Sequence, residues 1–211
     1  MTVIDKRNLL PRLRDVTLEL GCGNRKRRAD AIGIDVLDFD CVDIVGDVYE
    51  VLKEIRGQSI DAVFSSHFLE HVRDVLLLME ELARVIKPGG KLEIVVPHFS
   101  NPYFYSDYTH NNFFGLYSFS YLAEDKLLKR KVPNYHQTAA FELCQVDLIF
   151  KSSPPFYGRY LFKRALQSIF NMNGFMREFY EENCCYLFPC YEIQFLLKRK
   201  PALQVAKFDL I

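Results

Sequence analysis

The chain has 211 residues, 49% of them hydrophobic and 26% charged, which suits one well-buried domain and excludes a disordered chain. Lys+Arg and Asp+Glu both number 27, so the formal net charge is zero, which argues against a dedicated nucleic-acid binder. No apolar run approaches the roughly 18 residues of a membrane span; the charged N-terminal stretch MTVIDKRNLLPRLRD lacks a leader's apolar core and the six cysteines are scattered, so a cytoplasmic protein with reduced thiols is expected.

In chain order, VTLEL (16–20), AIGID (31–35) and VDIVGD (42–47) read as buried strands, followed by a short helix YEVLKEI (49–55) and the strand DAVFSS (61–66). Val72, Val75, Leu76, Met79, Leu82, Ala83 and Ile86 recur at three- and four-residue steps, predicting an amphipathic helix. KPGG (87–90) ends it, and KLEIVVP (91–97) is the fifth strand. After Pro97 the texture changes. Residues 98–122, HFSNPYFYSDYTHNNFFGLYSFSYL, are polar and aromatic without a clean period, an insert rather than a core element. FELCQVDLIFKS (141–152) and CYEIQFLLKRK (190–200) alternate as strands, and 157–183 between them reads as helical. With no repeat or linker, residues 1–211 are expected to form a single domain, with a cofactor-binding half (1–100) and a substrate-side half (101–211).

Short strands alternating with helical segments indicate βα units and a parallel sheet. Ligands bind such sheets at the carboxyl ends of the strands. Glu19, Gly21, Gly23, Asp35, Asp47, Ser66, His67 and His98 all fall at such ends. A glycine turn followed by a strand closing on an acid points to a nucleoside. A dinucleotide is disfavoured, because Lys26 stands where the third glycine of G-x-G-x-x-G belongs and Asp35 comes only 14 residues after Gly21. NRKRRAD (24–30) is also too short for a long crossover helix with its turns. S-adenosylmethionine carries no phosphate and needs neither feature. Asp35 suits its ribose hydroxyls, Asp47 its adenine amino group, and Glu19 helps hold the turn.

In LELGCG, GIDV, GDV, SSHFLEHV, LARVIKPGG and KLEIVVP, taken in order, the chain resembles the class I S-adenosylmethionine-dependent methyltransferases over about residues 16–100. The resemblance implies a Rossmann-like α/β fold: a seven-stranded, mainly parallel sheet with its last strand antiparallel, helices on both faces, and the aromatic insert after strand 5. It also implies cofactor contacts at Glu19, Gly21, Cys22, Gly23, Asp35, Val36, Asp47, Val48, Ser66 and His67. The shortened stretch after Gly23 departs from the pattern, leaving NRKRR as a loop over the cofactor edge or a solvated basic turn.

HFLEH (67–71) also fits the H-x-x-E-H zinc motif. It follows a buried strand rather than lying within a long helix, no third ligand is marked, and no metal is assigned. His98, Asp107, His110 and His67 are the candidate catalytic residues. A histidine can take the proton of a hydroxyl acceptor near neutral pH, and Asp107 could orient its ring; polar-loop capping is the competing reading for His98 and His110. Similar PHFS…TH…FF…YL stretches occur in methyltransferases that resemble those of surface-glycan clusters. The expected reaction is therefore O-methylation of a sugar, nucleotide-sugar or other small molecule. The alternative is a non-catalytic cofactor-binding scaffold. Residues 159–180 mix basic and bulky apolar side chains, which suits packing on the sheet, a dimer contact or a peripheral membrane contact. The oligomeric state stays open.

Overall fold

The computed structural model describes residues 2–133, 139–152 and 157–201. Its strands are β1 (Ile4–Asp5), β2 (Val16–Leu20), β3 (Ile32–Asp35), β4 (Ile44–Val45), β5 (Ile60–Ser66), β6 (Ile86–Pro97), β7 (Ala123–Asp125), β8 (Phe141–Ile149) and β9 (Glu192–Arg199). They form one sheet in the order β1-β4-β3-β2-β5-β6-β9-β8-β7. The strands from β4 to β6 run parallel. β9 enters antiparallel between β6 and β8. All seven strands read from the sequence are present, and β9 has the expected reversed direction. The two additional strands, β1 and β7, are edge pieces of two and three residues, too short to leave a periodic signal.

The helices are α1 (Val48–Glu54), α2 (Val75–Val85), α3 (Tyr160–Phe170) and α4 (Gly174–Phe179). Asp47 starts α1 by accepting from the Tyr49 amide at 3.0 Å, and Asp74 starts α2 by accepting from the Leu77 amide at 2.9 Å. Each cap satisfies an amide that the first helical turn cannot. The α2 cap explains why that helix begins after Val72, which follows a separate 3-10 turn, Leu69–His71. β6 begins directly at Ile86, paired with Ile60, and KPGG forms a bulge within it. Only glycine fits at position 90, where a Cβ would lie 2.7 Å from the Asp61 carbonyl oxygen.

Strand side chains alternate between faces, and the two faces of this sheet differ sharply. Leu18, Leu20, Ile34, Val63, Leu92, Ile94, Val96, Phe195 and Leu197 project to one face and are almost fully buried. They form one apolar cluster with Val51 and Leu52 of α1, Leu78 and Leu82 of α2, and Leu166 and Phe170 of α3. Burying each such side chain stabilises the fold by about 1.5–3 kcal/mol. The opposite face presents Thr17, Glu19, Gly33, Asp35, Phe64, Ser66, Lys91, Glu93 and Gln194, none of which joins that cluster. Among the described residues, helical cover is thus one-sided, which corrects the expectation of helices on both faces. The physical reason is the shortness of the connections. Residues 21–31 and 36–43 link β2 to β3 and β3 to β4 without forming a helix.

The helix that 21–31 lacks is replaced by side-chain anchors. Glu19, 2% exposed, accepts from the Arg27 amide with both oxygens, at 2.8 and 3.1 Å, and from the Arg28 amide at 2.8 Å. Arg28 then lies over the Phe64 ring at 4.8 Å and pairs with Glu93 at 2.6 Å. Within the basic run, Arg28 thus lies over the uncovered face and Lys26 pairs with Asp43 at 2.6 Å, while Asn24, Arg25 and Arg27 are exposed, as a solvated turn would have them.

β8 outruns β7, and beyond Leu143 no described strand lies on its outer side. The Asn171 side-chain amide, just past α3, accepts from the Leu148 amide at 2.8 Å and donates to the Leu148 carbonyl at 2.6 Å. Gln167 Oε1 accepts from the Phe150 amide at 3.0 Å. Residues 157–183 are thus helical, as expected, and α3 packs on the sheet through Leu166 and Phe170.

Candidate functional site

The site begins at the turn after β2. Gly21 and Gly23 have φ of +63° and +58°, the left-handed region that glycine adopts without steric cost. A Cβ on Gly21 would lie 2.5 Å from the Phe68 ring, so Gly21 makes room for Phe68, not for a ligand. Gly23 differs: nothing lies within 4 Å of the Cβ it lacks. Its amide donates to Asp35 Oδ2 at 2.8 Å, while Asp35 Oδ1 accepts from Leu37 at 2.9 Å. The acid at the end of β3 is therefore fixed against the glycine turn and is partly exposed.

Cys22 is buried with Val42 and Val45, beside Phe39 and Cys41, in a second small cluster that ties the two short connections together. Burial, followed by the nearby Asp35, Cys41 and Glu19, pushes its thiol pKa up to about 12. Cys22 is therefore an apolar plug. Val36 is half exposed at the end of β3, and Val48 is buried at the start of α1. Asp47 is shared between its helix cap and Arg73 at 3.4 Å. Ser66, 9% exposed, has no hydrogen-bond partner for its Oγ. A buried unpartnered hydroxyl and open space over Gly23, beside a fixed acid, fit a polar nucleoside with an amino-acid tail. Glu19 contributes by anchoring the loop, since its carboxylate is spent on Arg27 and Arg28.

The candidate catalytic residues separate into different environments. His98 is fully buried. Its Nδ1 accepts from the Ser100 amide at 3.1 Å and lies 2.8 Å from Ser100 Oγ, and its Nε2 donates to Glu181 at 2.8 Å. With both ring nitrogens engaged, it has no lone pair for a substrate proton, which removes the reason for expecting a base there. It instead joins β6 to the π-helical turn Tyr180–Cys184.

His67 has φ of +53°, a strained value for a non-glycine residue. Its Nε2 bonds Glu192 at 2.9 Å and its Nδ1 lies 3.4 Å from Glu70. Glu192 is also paired with Lys151. Burial alone would lower the His67 pKa, but the hydrogen bond to Glu192 and the Glu70 carboxylate nearby outweigh it and raise the value to about 9. His67 is thus a cation at neutral pH, not the proton acceptor expected of it.

Asp107 accepts from the Thr109 hydroxyl at 2.6 Å and amide at 2.9 Å; those bonds hold its carboxyl below the usual range. Its second oxygen is 3.6 Å from His110 Nε2. His110 Nδ1 donates to the Phe104 carbonyl at 2.9 Å and its ring meets His71 edge-on at 4.8 Å. The structure therefore brings Asp107 and His110 together, as expected. It adds His71 and Glu70, which the sequence marks only through H-x-x-E-H.

Beyond this edge lies a cavity of about 300 Å³ walled by Tyr103, Phe150, Phe162, Phe188 and Tyr191, with Arg159 and Lys163 at its border. Burial lowers the Lys163 pKa. Tyr105, Tyr108 and Phe113 are exposed outside it. No helix among the described residues is long and apolar enough to cross a membrane.

This strand order, with β9 reversed and the polar residues gathered at the carboxyl ends, is the class I methyltransferase fold. A family profile described as "Methyltransferase domain" matches residues 18–94. Among solved structures, a SAM-dependent methyltransferase from Archaeoglobus fulgidus is similar at 19% identity and TM-score 0.53, covering 92% of this chain and 90% of that one. Phosphoethanolamine N-methyltransferase 2 of Haemonchus contortus, solved with S-adenosyl-L-methionine, is similar at 18% identity and TM-score 0.50 over 89% of this chain and 49% of that one. No curated protein matches. Residues 18–94 thus match a methyltransferase domain, and the described chain has the fold of solved methyltransferases, one of them bound to S-adenosyl-L-methionine.

Proposed function

We propose that this chain, acting as a single domain in the cytoplasm, methylates a hydroxyl of a small polar acceptor, a sugar or nucleotide-sugar of the kind used to build surface glycans. The observation that carries this reading is the 300 Å³ cavity with its five aromatic walls and two cationic side chains. Aromatic rings stack on sugar faces, and the cations suit a phosphate or other acidic group. The cavity lies beside Tyr191, at the same carboxyl edge as the cofactor residues.

The bound cofactor supplies an activated methyl group. Asp35 and the open backbone at Gly23 would hold its ribose, and the unpartnered Ser66 hydroxyl would be available to it. Most of the catalytic contribution is alignment of acceptor and donor within a site that excludes water. His67 and Lys151, both paired to Glu192, fix the charge at the mouth of β5 and β9. Near the insert, Glu70, His71 and His110 keep side-chain atoms outside the hydrogen-bond network, and the acceptor hydroxyl would lie beside them.

The test is a screen of nucleotide-sugars and free sugars with purified protein, reading S-adenosylhomocysteine release and the mass gain of one methyl group. Turnover with an acidic sugar, weakened chiefly in KM by Arg159→Ala and Lys163→Ala, is the expected result. Turnover only with amines would overturn the oxygen assignment. Failure to bind S-adenosylhomocysteine would favour the scaffold alternative, for which Phe68 lying across Gly21 is the relevant observation.

A further inference from the structure

Glu70 stands out among the buried polar groups. It sits in the 3-10 turn Leu69–His71, 1% exposed, and neither carboxylate oxygen has a hydrogen-bond partner. Its nearest cation is His67 Nδ1, 3.4 Å from Oε1. A buried carboxylate left in this state is costly unless something pairs with it.

The two histidines beside it are arranged to offer lone pairs. The Phe104 carbonyl can only accept, so His110 carries a proton on Nδ1 and its Nε2 makes no hydrogen bond, with Asp107 Oδ2 3.6 Å away. The Thr109 hydroxyl donates to Asp107, so its oxygen accepts from His71 Nδ1–H at 2.9 Å. His71 therefore presents a bare Nε2. Histidines that hold a metal are fixed in this way, with the second ring nitrogen donating to a carbonyl or similar acceptor. One ligand atom from each of Glu70, His71 and His110 falls within a set no wider than 4.8 Å.

The insert is also stitched to the turn. The Asn111 and Asn112 amides donate to the Glu70 carbonyl at 2.7 and 3.2 Å, and Asn112 Nδ2 reaches the Leu69 and Val72 carbonyls at 3.1 and 2.7 Å.

We propose that Glu70, His71 and His110 bind one divalent first-row transition-metal ion, through a Glu70 oxygen and both Nε2 atoms. Two imidazoles and a carboxylate form the donor set of zinc and related ions, and three protein ligands leave a position open. Metal–ligand bonds of about 2.0–2.2 Å place tetrahedral ligands roughly 3.3–3.6 Å apart, so the set closes by about 1 Å on binding. The ion would supply the partner that both Glu70 oxygens lack. Resting on the reading above, the open position is where the acceptor's hydroxyl oxygen would sit; the binding itself does not depend on that reading.

The experiment uses the full chain, treated with chelator and then titrated with Co2+ and, separately, Zn2+. Calorimetry reads stoichiometry and affinity, and the visible spectrum of Co2+ reads the donor atoms. One ion per chain is expected, with a spectrum of nitrogen and oxygen ligands. Glu70→Gln and His110→Ala are each expected to weaken binding at least about 100-fold, more than the loss of a residue that only orients a ligand, while Cys144→Ser leaves it unchanged. His71→Asn serves if either variant fails to fold. Absence of stoichiometric binding, or thiolate bands that persist in the three site variants, would overturn the proposal. Metal binding without methyl transfer would sink the proposed function and leave this site standing; cofactor turnover in metal-free protein with no ion bound would do the reverse.

Discussion

The most direct perturbation of the helix-free crossover is Glu19→Ala. The carboxylate receives two backbone amides, those of Arg27 and Arg28, through three contacts of 2.8 to 3.1 Å. Hydrogen bonds to a charged group contribute about 1.5–3 kcal/mol each, so two amides represent roughly 3–6 kcal/mol at full burial. Arg27 and Arg28 themselves lie at the surface, and water recovers part of that loss. A net destabilisation of about 2–3 kcal/mol remains. For a domain of this size each kcal/mol lowers Tm by about 2–4 °C, so the variant is expected to melt roughly 5–10 °C lower. Glu19→Gln keeps one carbonyl oxygen and should fall about halfway. Differential scanning calorimetry of the three proteins decides it. A drop below about 2 °C in Glu19→Ala, or equal drops in both variants, would refute the view that this carboxylate replaces a helix as the anchor of residues 21–31.

Asp35→Asn is expected to weaken S-adenosylhomocysteine binding about 10- to 100-fold, the loss of one charge-assisted bond; calorimetric titration showing unchanged affinity would remove Asp35 from the site. Gly21→Ala should destabilise the fold through its positive φ and its clash with Phe68. Adding Phe68→Ala relieves the clash alone, so the double variant should recover part of the lost Tm, and strict additivity would contradict the packing described. Burial opposes ionisation of Asp43, but its bonds to Lys26 and the Gly33 amide prevail and lower its pKa. Because the folded value lies below the unfolded one, that stability is full above about pH 4 and is lost as pH falls through the folded pKa. Asp43→Asn should flatten the acid arm of a Tm–pH curve, and superimposable arms would reject the assignment. Iodoacetamide at pH 8 should label exposed Cys144 and spare Cys22, whose thiol pKa is raised to about 12; rapid labelling of Cys22 in folded protein would show its cluster to be open.

The sheet was legible because each of its seven principal strands is a short apolar run bounded by turn residues. Periodicity located α2, and the Pro and Gly of KPGG located its end. Seven strands in family order also carried the resemblance. Two features were beyond such reading. One-sided cover follows from connections too short for helices, visible at NRKRRAD, yet where Arg28 goes depends on Phe64 and Glu93, residues 36 and 65 positions away. The histidine roles were misjudged for a similar reason. His98 looks like a base at a strand end, but Glu181, 83 residues later, occupies its Nε2. His67 looks neutral in sequence and is made cationic by Glu192, which is 125 residues away. Glu70 and His71 were visible in H-x-x-E-H; only the insert's return brought His110 to complete the group.

The amide bracket of Asn171 and Gln167 on β8 bears on how copies of the molecule behave toward one another. Unpaired strand edges invite other chains to add to them and seed aggregates. Here the outer rim of β8 at Leu148 and Phe150 meets side chains that imitate a peptide unit on one side only, so the ladder stops there. The outermost strands, β1 and β7, have two and three residues, too little for a second copy to grip. Among the described residues, the edges of the sheet thus offer little for a second copy to extend.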